Sequence, residues 1–267
     1  MRIGICGNPE DGAMLAAAGF GYVELNVQRD LAPANDDEAY AERSAVVAAC
    51  PLPTEHACCF LPDSPLCVGP DVDRSALLAY ATTAFERAKC HGVRRIVFGS
   101  GDARNIPVGF DRDEARAQFV SLLKDLGPVA APNGITIVIE PLNKGECNFV
   151  NSVIEGAELA REANHPNVRL LADFYHMLLE NDTADDLRSV VDLVEHTHCA
   201  EKDERTPPGV KGDDFRPYLQ VLAEANYAGA ISIEARWGDL ASEAGPAIAA
   251  LRAQCTDVSL PMSIRPD

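Results

Sequence analysis

Glu140, Asp173, His198 and Glu234 each close an apolar run, in ITIVIEPLN, VRLLADFYH, VEHTHCAE and AISIEARW. Such runs read as buried strands handing over to loops, so the four side chains stand at successive strand ends. Three carboxylates and one imidazole on one rim make a hard ligand set for a divalent cation. Strand alternation brings them to one side. Thr136, Val138 and Glu140 share a face, as do Arg169, Leu171 and Asp173, and Ser232 with Glu234. His196 points the same way as His198 one layer deeper, where it would support the site.

Such a centre suits proton transfer next to a carbonyl. Chelation of a ketose carbonyl and its neighbouring hydroxyl would polarise the carbonyl and acidify the adjacent C–H. A carboxylate within reach removes that proton as general base. Glu140 and Glu234 lie on nonadjacent strands and can approach opposite faces of the carbon. Removal by one and return by the other inverts C3. Return to the neighbouring carbon gives aldose–ketose isomerisation instead.

The elements that must position these residues alternate along the chain. Strand-like segments fall at 2–6, 22–26, 53–59, 95–99, 135–140, 168–173, 194–199 and 230–235, each followed by a helix-compatible stretch. Apolar stripes at helical spacing include Leu77, Ala81, Ala84, Phe85 and Ala88, stopped by Gly92, and then Phe119, Leu122, Leu123 and Leu126. Leu187, Val190, Val191 and Val194 form another, and Phe215, Tyr218, Leu219 and Leu222 a fourth. Ser152 with Glu155 reads as a capping box. The proline- and cysteine-rich stretch 50–73 is expected to loop over the mouth. Eight βα units predict a single (β/α)8 TIM barrel spanning 1–267 as one domain. The competitor, a doubly wound open sheet, would carry a glycine-rich loop that GNPEDG matches poorly.

Composition narrows the partners. The net charge of −18 and pI of about 4.6 oppose binding to a nucleic-acid backbone. No apolar run approaches the roughly 20 residues of a membrane helix. The chain opens on a strand pattern rather than a signal peptide, so a cytoplasmic enzyme is expected. Nine cysteines without C-x-x-C spacing fit reduced packing thiols, Cys147 and Cys199 among them.

The segments IEPLNKGECN, ADFYHM, HTHCAEKDERTPPG and ISIEARW resemble the xylose-isomerase-like sugar isomerase/epimerase superfamily, closest in motif to the ketose 3-epimerases related to D-tagatose 3-epimerase. The likeness covers the C-terminal half; the first four strands match only in pattern. It implies that Glu140, Asp173, His198 and Glu234 hold one divalent ion, often Mn2+, with Mg2+, Co2+ or Zn2+ as alternatives. It implies Glu140 and Glu234 as the proton-transfer pair, substrate contacts from Glu146, His176 and Arg205, and a homodimer or tetramer acting on a small sugar. HCAEKDERTPPG carries one more residue between His198 and Arg205 than the epimerase pattern, which makes Lys202 the alternative cation.

Other chemistry on such a barrel stays open. Aldose–ketose or hydroxypyruvate-type isomerisation and inosose-type dehydration would use the same metal. A sugar-binding barrel would not need both acids. An endonuclease IV-like hydrolase would need further histidines that KGDDFRPY and VFGSG lack. Glu24 and His56 end the second and third strands, facing the mouth or supporting the site. Phe60, Phe149 and Trp237 are candidate pocket walls. Lys202, Arg205, Lys211 and Arg236 are candidate partners for a phosphate or carboxylate.

Overall fold

Runs of β-branched and aliphatic residues too short for helices become eight parallel strands in the computed structural model, which describes residues 1–262. They are β1 (Arg2–Cys6), β2 (Val23–Asn26), β3 (His56–Cys58), β4 (Arg95–Phe98), β5 (Thr136–Ile139), β6 (Val168–Asp173), β7 (Val194–Cys199) and β8 (Ala230–Ile233). The strands pair in chain order, and β1 closes on β8 through the register Ile3 to Ile231. That closure excludes the open sheet. All eight predicted strands are present, and β3 is shorter than its sequence pattern.

Alternation divides each strand between two cores. Ile137, Ile139, Leu170, Ala172, Ile231 and Ile233 face outwards into the main core, with Leu122, Leu126, Leu187 and Leu222 from the surrounding helices. Val97, Val138 and Leu171 turn inwards with Cys58 as a small separate cluster. This inner layer keeps the barrel filled and puts the next inward residues, Glu140 and Asp173, at the carboxyl rim.

The helices start where short polar side chains can accept orphan N–H groups. Asp73, Asp111, Ser152 and Thr183 cap helices Arg74–Cys90, Arg112–Ala130, Val153–Ala163 and Ala184–Val190. Ser152 makes only half of the expected box, because Glu155 accepts from the N–H of Asn151 at 2.8 Å. The reciprocal box sits at Thr183 and Asp186. The stripe through Leu187 and Val190 stops earlier than its spacing predicts. Val191–Leu193 tighten into a 3-10 turn and Val194 opens β7, since strand pairing with Leu170 claims it. Within 50–73, only the part after β3 is the predicted loop.

Below the rim the barrel axis is polar. The Tyr22 hydroxyl lies 2.8 Å from Ser232 Oγ. His56 stacks on His196 with ring centroids 4.2 Å apart. Gly4 on β1 makes room for this layer: a Cβ there would lie 2.2 Å from the Tyr22 ring. Gly4→Ala is therefore expected to destabilise the protein by about 1–3 kcal/mol through overpacking, measured as a fall in the urea midpoint without a change in slope. An unchanged midpoint would show that the Tyr22 layer is free to move aside.

Candidate active site

Each member of the predicted quartet arrives at the rim by a local device. Asp173 ends β6 and caps the short helix Phe174–Glu180: its Oδ1 accepts from the Tyr175 N–H at 2.8 Å. That leaves Oδ2 to face the axis. His198 is set by Glu24 of β2, whose Oε1 takes the Nε2 side of the ring at 3.0 Å, so Nδ1 is left as the inward lone pair. Glu24 Oε2 is shared by His196 at 2.8 Å and by Ser232 Oγ, which donates to it. Glu140 follows β5 and needs space that Gly99 supplies, because a Cβ at Gly99 would meet the Glu140 carboxylate at 2.2 Å. Arg104, fully buried, donates to the carbonyls of Phe98 at 3.0 Å and Glu140 at 2.9 Å and so ties the ends of β4 and β5 together.

One ligand atom from each of Glu140, Asp173, His198 and Glu234 lies within 4.8 Å of the other three. His198 Nδ1 is 3.3 Å from Glu140 Oε1 and 3.3 Å from Glu234 Oε2. Glu140 Oε1, Asp173 Oδ2 and His198 Nδ1 are buried without a hydrogen-bond partner among the described residues. Buried polar atoms are rarely left unsatisfied, and three converging ones with carboxylate and imidazole chemistry fit a divalent cation.

The charges around this point are unequal. Burial works against His198's charge, but Glu24 and Glu234 hold its pKa well above the ordinary value. Burial also opposes ionisation of Glu24, yet His198 and His196 pull its carboxyl well down. Burial raises the carboxyl of Asp173 to about 6 despite Arg205 and His198. It raises that of Glu140 as well, against the opposing pull of the nearby His198 ring. Glu234 is different. Burial is outweighed there by the Arg205 guanidinium and by His198, and its carboxyl falls to about 2.

The three expected substrate contacts converge on the same cavity of about 250 Å³, with Glu140 and Glu234. His176 is buried, and its Nδ1 accepts from the backbone N–H of Asn143 at 3.1 Å, with the Asn143 amide 2.9 Å away. This assigns the proton to Nε2, which faces inwards without a hydrogen-bond acceptor among the described residues. Glu146 takes the Asn143 amide at 2.9 Å and lies 3.5 Å from Arg205. Arg205 Nη2 meets Glu234 Oε2 at 2.5 Å, and its guanidinium lies 4.6 Å from the centre of the Tyr175 ring. Lys202 is exposed and does not line the cavity, whereas Arg205 of the same loop does. The loop passes through two left-handed residues in a row, Glu204 and Arg205, with φ of 59° and 55°.

Sequence reasoning missed the residue that shapes this loop. Glu201 is fully buried. Its carboxylate accepts from the N–H groups of Gly209 at 2.8 Å and Gly212 at 2.9 Å, from Thr206 Oγ1 at 3.0 Å, and from Lys211 and Asp213. An acid two residues past a strand end gives no such signal by itself. Arg104 was equally hidden, as the last residue of the short helix Gly101–Arg104.

The softer candidates separate. Glu24 supports the site from below. His56 stacks in the layer beneath it, with both ring nitrogens buried. Phe60 and Phe149 do not wall a pocket: Phe60 packs on Phe85 and Phe98, and Phe149 on Phe119, because the main core claims them. Trp237 lines a neighbouring cavity of about 290 Å³ with Cys6, Glu24, Cys58 and Cys59. Cys147 and Cys199 are buried packing residues, as expected. No helix among the described residues is long and apolar enough to cross a membrane.

Residues 13–254, which include the rim quartet, match the family model of the xylose isomerase-like TIM barrel. Among curated relatives, an L-ribulose 3-epimerase of Methylomonas sp. is 34% identical over 122 residues, 45% of this chain and 42% of the relative. A 3-dehydro-D-guloside 4-epimerase of Escherichia coli is 32% identical over 125 residues, 46% of this chain and 47% of the relative. The matched stretches thus span less than half the length of these relatives. The crystal structure of a Methylomonas sp. D-allulose 3-epimerase superposes with a TM-score of 0.81 at 24% identity, covering 95% of this chain and 98% of that one, a likeness of fold. With the closed barrel and its rim quartet, the family match places this chain in the xylose isomerase-like TIM barrel family.

Proposed function

We propose that this chain is a divalent-cation-dependent sugar isomerase or epimerase, with epimerisation at C3 of a ketose as the primary reaction. The observation that carries the reading is the pair Glu140 and Glu234, two carboxylates in one quartet able to hold a cation, opening onto a sugar-sized cavity. The relatives named as sugar epimerases support it. Mn2+ suits the oxygen-rich set best, with Mg2+, Co2+ or Zn2+ as substitutes. The bound cation would supply Lewis-acid polarisation of the substrate carbonyl and charge neutralisation.

The protein's own residues divide the remaining work. Arg205 keeps Glu234 ionised, which suits it to accept the C3 proton. Burial keeps Glu140 more basic, which suits it to carry a proton and return it on the other face. Glu140 and Glu234 exchange these jobs in the reverse reaction. His176 offers Nε2–H, and Arg205 its guanidinium, to oxygens that gain charge as the enediolate forms. Glu146 accepts from a substrate hydroxyl. The described lining of the cavity holds Asp63, Asp102, Glu140, Glu146 and Glu234 against the one guanidinium of Arg205. Lys202 and Arg236 are exposed, and Lys211 pairs with Asp203 and Glu204. An acidic pocket of this kind favours an uncharged polyol over a sugar phosphate and disfavours a nucleic-acid backbone.

With Mn2+-loaded enzyme and a panel of ketoses in heavy water, NMR should show exchange at C3 and a C3 epimer. Glu140→Gln and Glu234→Gln should each lower that exchange by roughly 10²–10⁴-fold; undiminished turnover in either variant would sink the two-base scheme.

Gly99→Ala should leave the thermal midpoint nearly unchanged, since only the flexible end of Glu140 must move, while turnover falls about 10²-fold from the displaced carboxylate. Wild-type turnover would mean that the Glu140 position is not set by this contact. Cation binding should weaken as pH falls, because the cation must displace a proton from His198, whose pKa is raised, and below about 6 from Asp173 as well. Below that point the fall in apparent affinity should steepen by up to about a further tenfold per unit. A titration of free Mn2+ by electron paramagnetic resonance at several pH values measures this; a flat profile down to pH about 5 would exclude Asp173 as a ligand.

A further inference from the structure

Asn143 lies between His176 and Glu146 and uses every polar atom of its side chain. It is buried, on the loop that follows β5. Its Oδ1 accepts from the Gly145 N–H at 2.9 Å, which fixes the orientation of the amide. Both hydrogens on Nδ2 are then committed. One is donated to Glu146 Oε1 at 2.9 Å and the other to His176 Nδ1 at 2.9 Å. The backbone N–H of Asn143 reaches the same His176 nitrogen at 3.1 Å. A Cβ at Gly145 would lie 2.9 Å from Asn143 Oδ1, so a glycine lets the loop close this tightly. The loop is fastened from two sides. The Asn151 amide donates to the carbonyls of Leu142 and Cys147, at 2.7 Å each. Glu180 ends the short helix that carries His176, and it accepts from the Lys144 N–H at 2.8 Å and from the Lys144 ammonium at 2.7 Å.

We propose that Asn143 is a positioning residue that sets two substrate contacts with one amide, holding His176 as a donor and Glu146 as an acceptor. The inference rests on the proposed function, in which His176 Nε2–H and Glu146 meet substrate oxygens. Two N–H groups directed at Nδ1 keep the ring proton on Nε2. The second amide hydrogen holds the Glu146 carboxylate beside Arg205, 3.5 Å away, where it would otherwise be free to swing into solvent. The two effects are separable. The backbone N–H of Asn143 supports His176 whatever the side chain is, whereas Glu146 depends on the side-chain amide alone. An acceptor in place of that amide would work against both partners.

The test compares Asn143→Ala with Asn143→Asp. The alanine variant keeps the backbone N–H on His176 and loses the hold on Glu146. Its KM should rise about tenfold, with kcat within about threefold of the wild type. The aspartate variant should repel Glu146 and draw the ring proton of His176 to Nδ1, so that kcat also falls about 10²-fold for want of a donor at Nε2. Nitrogen NMR of histidine-labelled protein, loaded with diamagnetic Mg2+ and assigned through His176→Gln, reads the ring without any turnover. His176 Nδ1 should be unprotonated in the wild type and in Asn143→Ala, and protonated in Asn143→Asp. A protonated Nδ1 in the wild type overturns the proposal even if neither variant folds. Equal losses of kcat in two folded variants with unchanged ring signals overturn it too, because a merely structural role would make the variants alike. Absence of exchange with every ketose in the wild type defeats the proposed function instead, and the ring signals still decide the role of Asn143.

Discussion

Glu24 is the charge around which the barrel interior is arranged. It is fully buried, and its two oxygens serve His198, His196 and Ser232. An isolated carboxylate at that depth would be costly, whereas one shared among three donors holds them in fixed positions. Through His198 it determines which ring nitrogen looks towards the rim. Through Ser232 it reaches Tyr22, and through His196 it reaches His56. The layer that supports the site is therefore a single polar network built on one acid.

Above that network, the two acids proposed to transfer protons are made unequal by one neighbour. Arg205 touches Glu234 and not Glu140, and the pKa values of the two carboxyls move in opposite directions. Two identical side chains on one barrel thereby acquire different readiness to carry a proton. The asymmetry comes from a loop rather than a strand, so the barrel supplies the positions and the loop after β7 supplies the difference.

Period-two alternation and strand-end acids made the eight strands and the rim quartet legible, because burial in a closed barrel enforces both. The helix stripes were legible for the same reason, up to Val194, where strand pairing overrode helical spacing. Arg205 could be placed by its Arg-x-Pro-Pro-Gly neighbourhood, though one extra residue after His198 left Lys202 as an alternative. Residues whose task is to hold others were not legible. Arg104 acts on backbone carbonyls, which leave no trace in sequence spacing. Glu201 collects N–H groups from a loop whose path depends on it. Phe60 and Phe149 looked like pocket walls because aromatic residues near a mouth are compatible with either role, and only their neighbours show that the core claims them.

The loop gathered by Glu201 has a consequence for how this site can diverge. Its fold is written mainly in bonds from its own backbone to one carboxylate, with Thr206 the side chain that joins them. Outward residues such as Val210 and Lys202 add little to that pattern. The loop can thus be regarded as a cassette: its outer face is free to drift while the inner turn keeps delivering a guanidinium to the same spot. The outline of the cavity on this flank can change without the rim quartet being rebuilt.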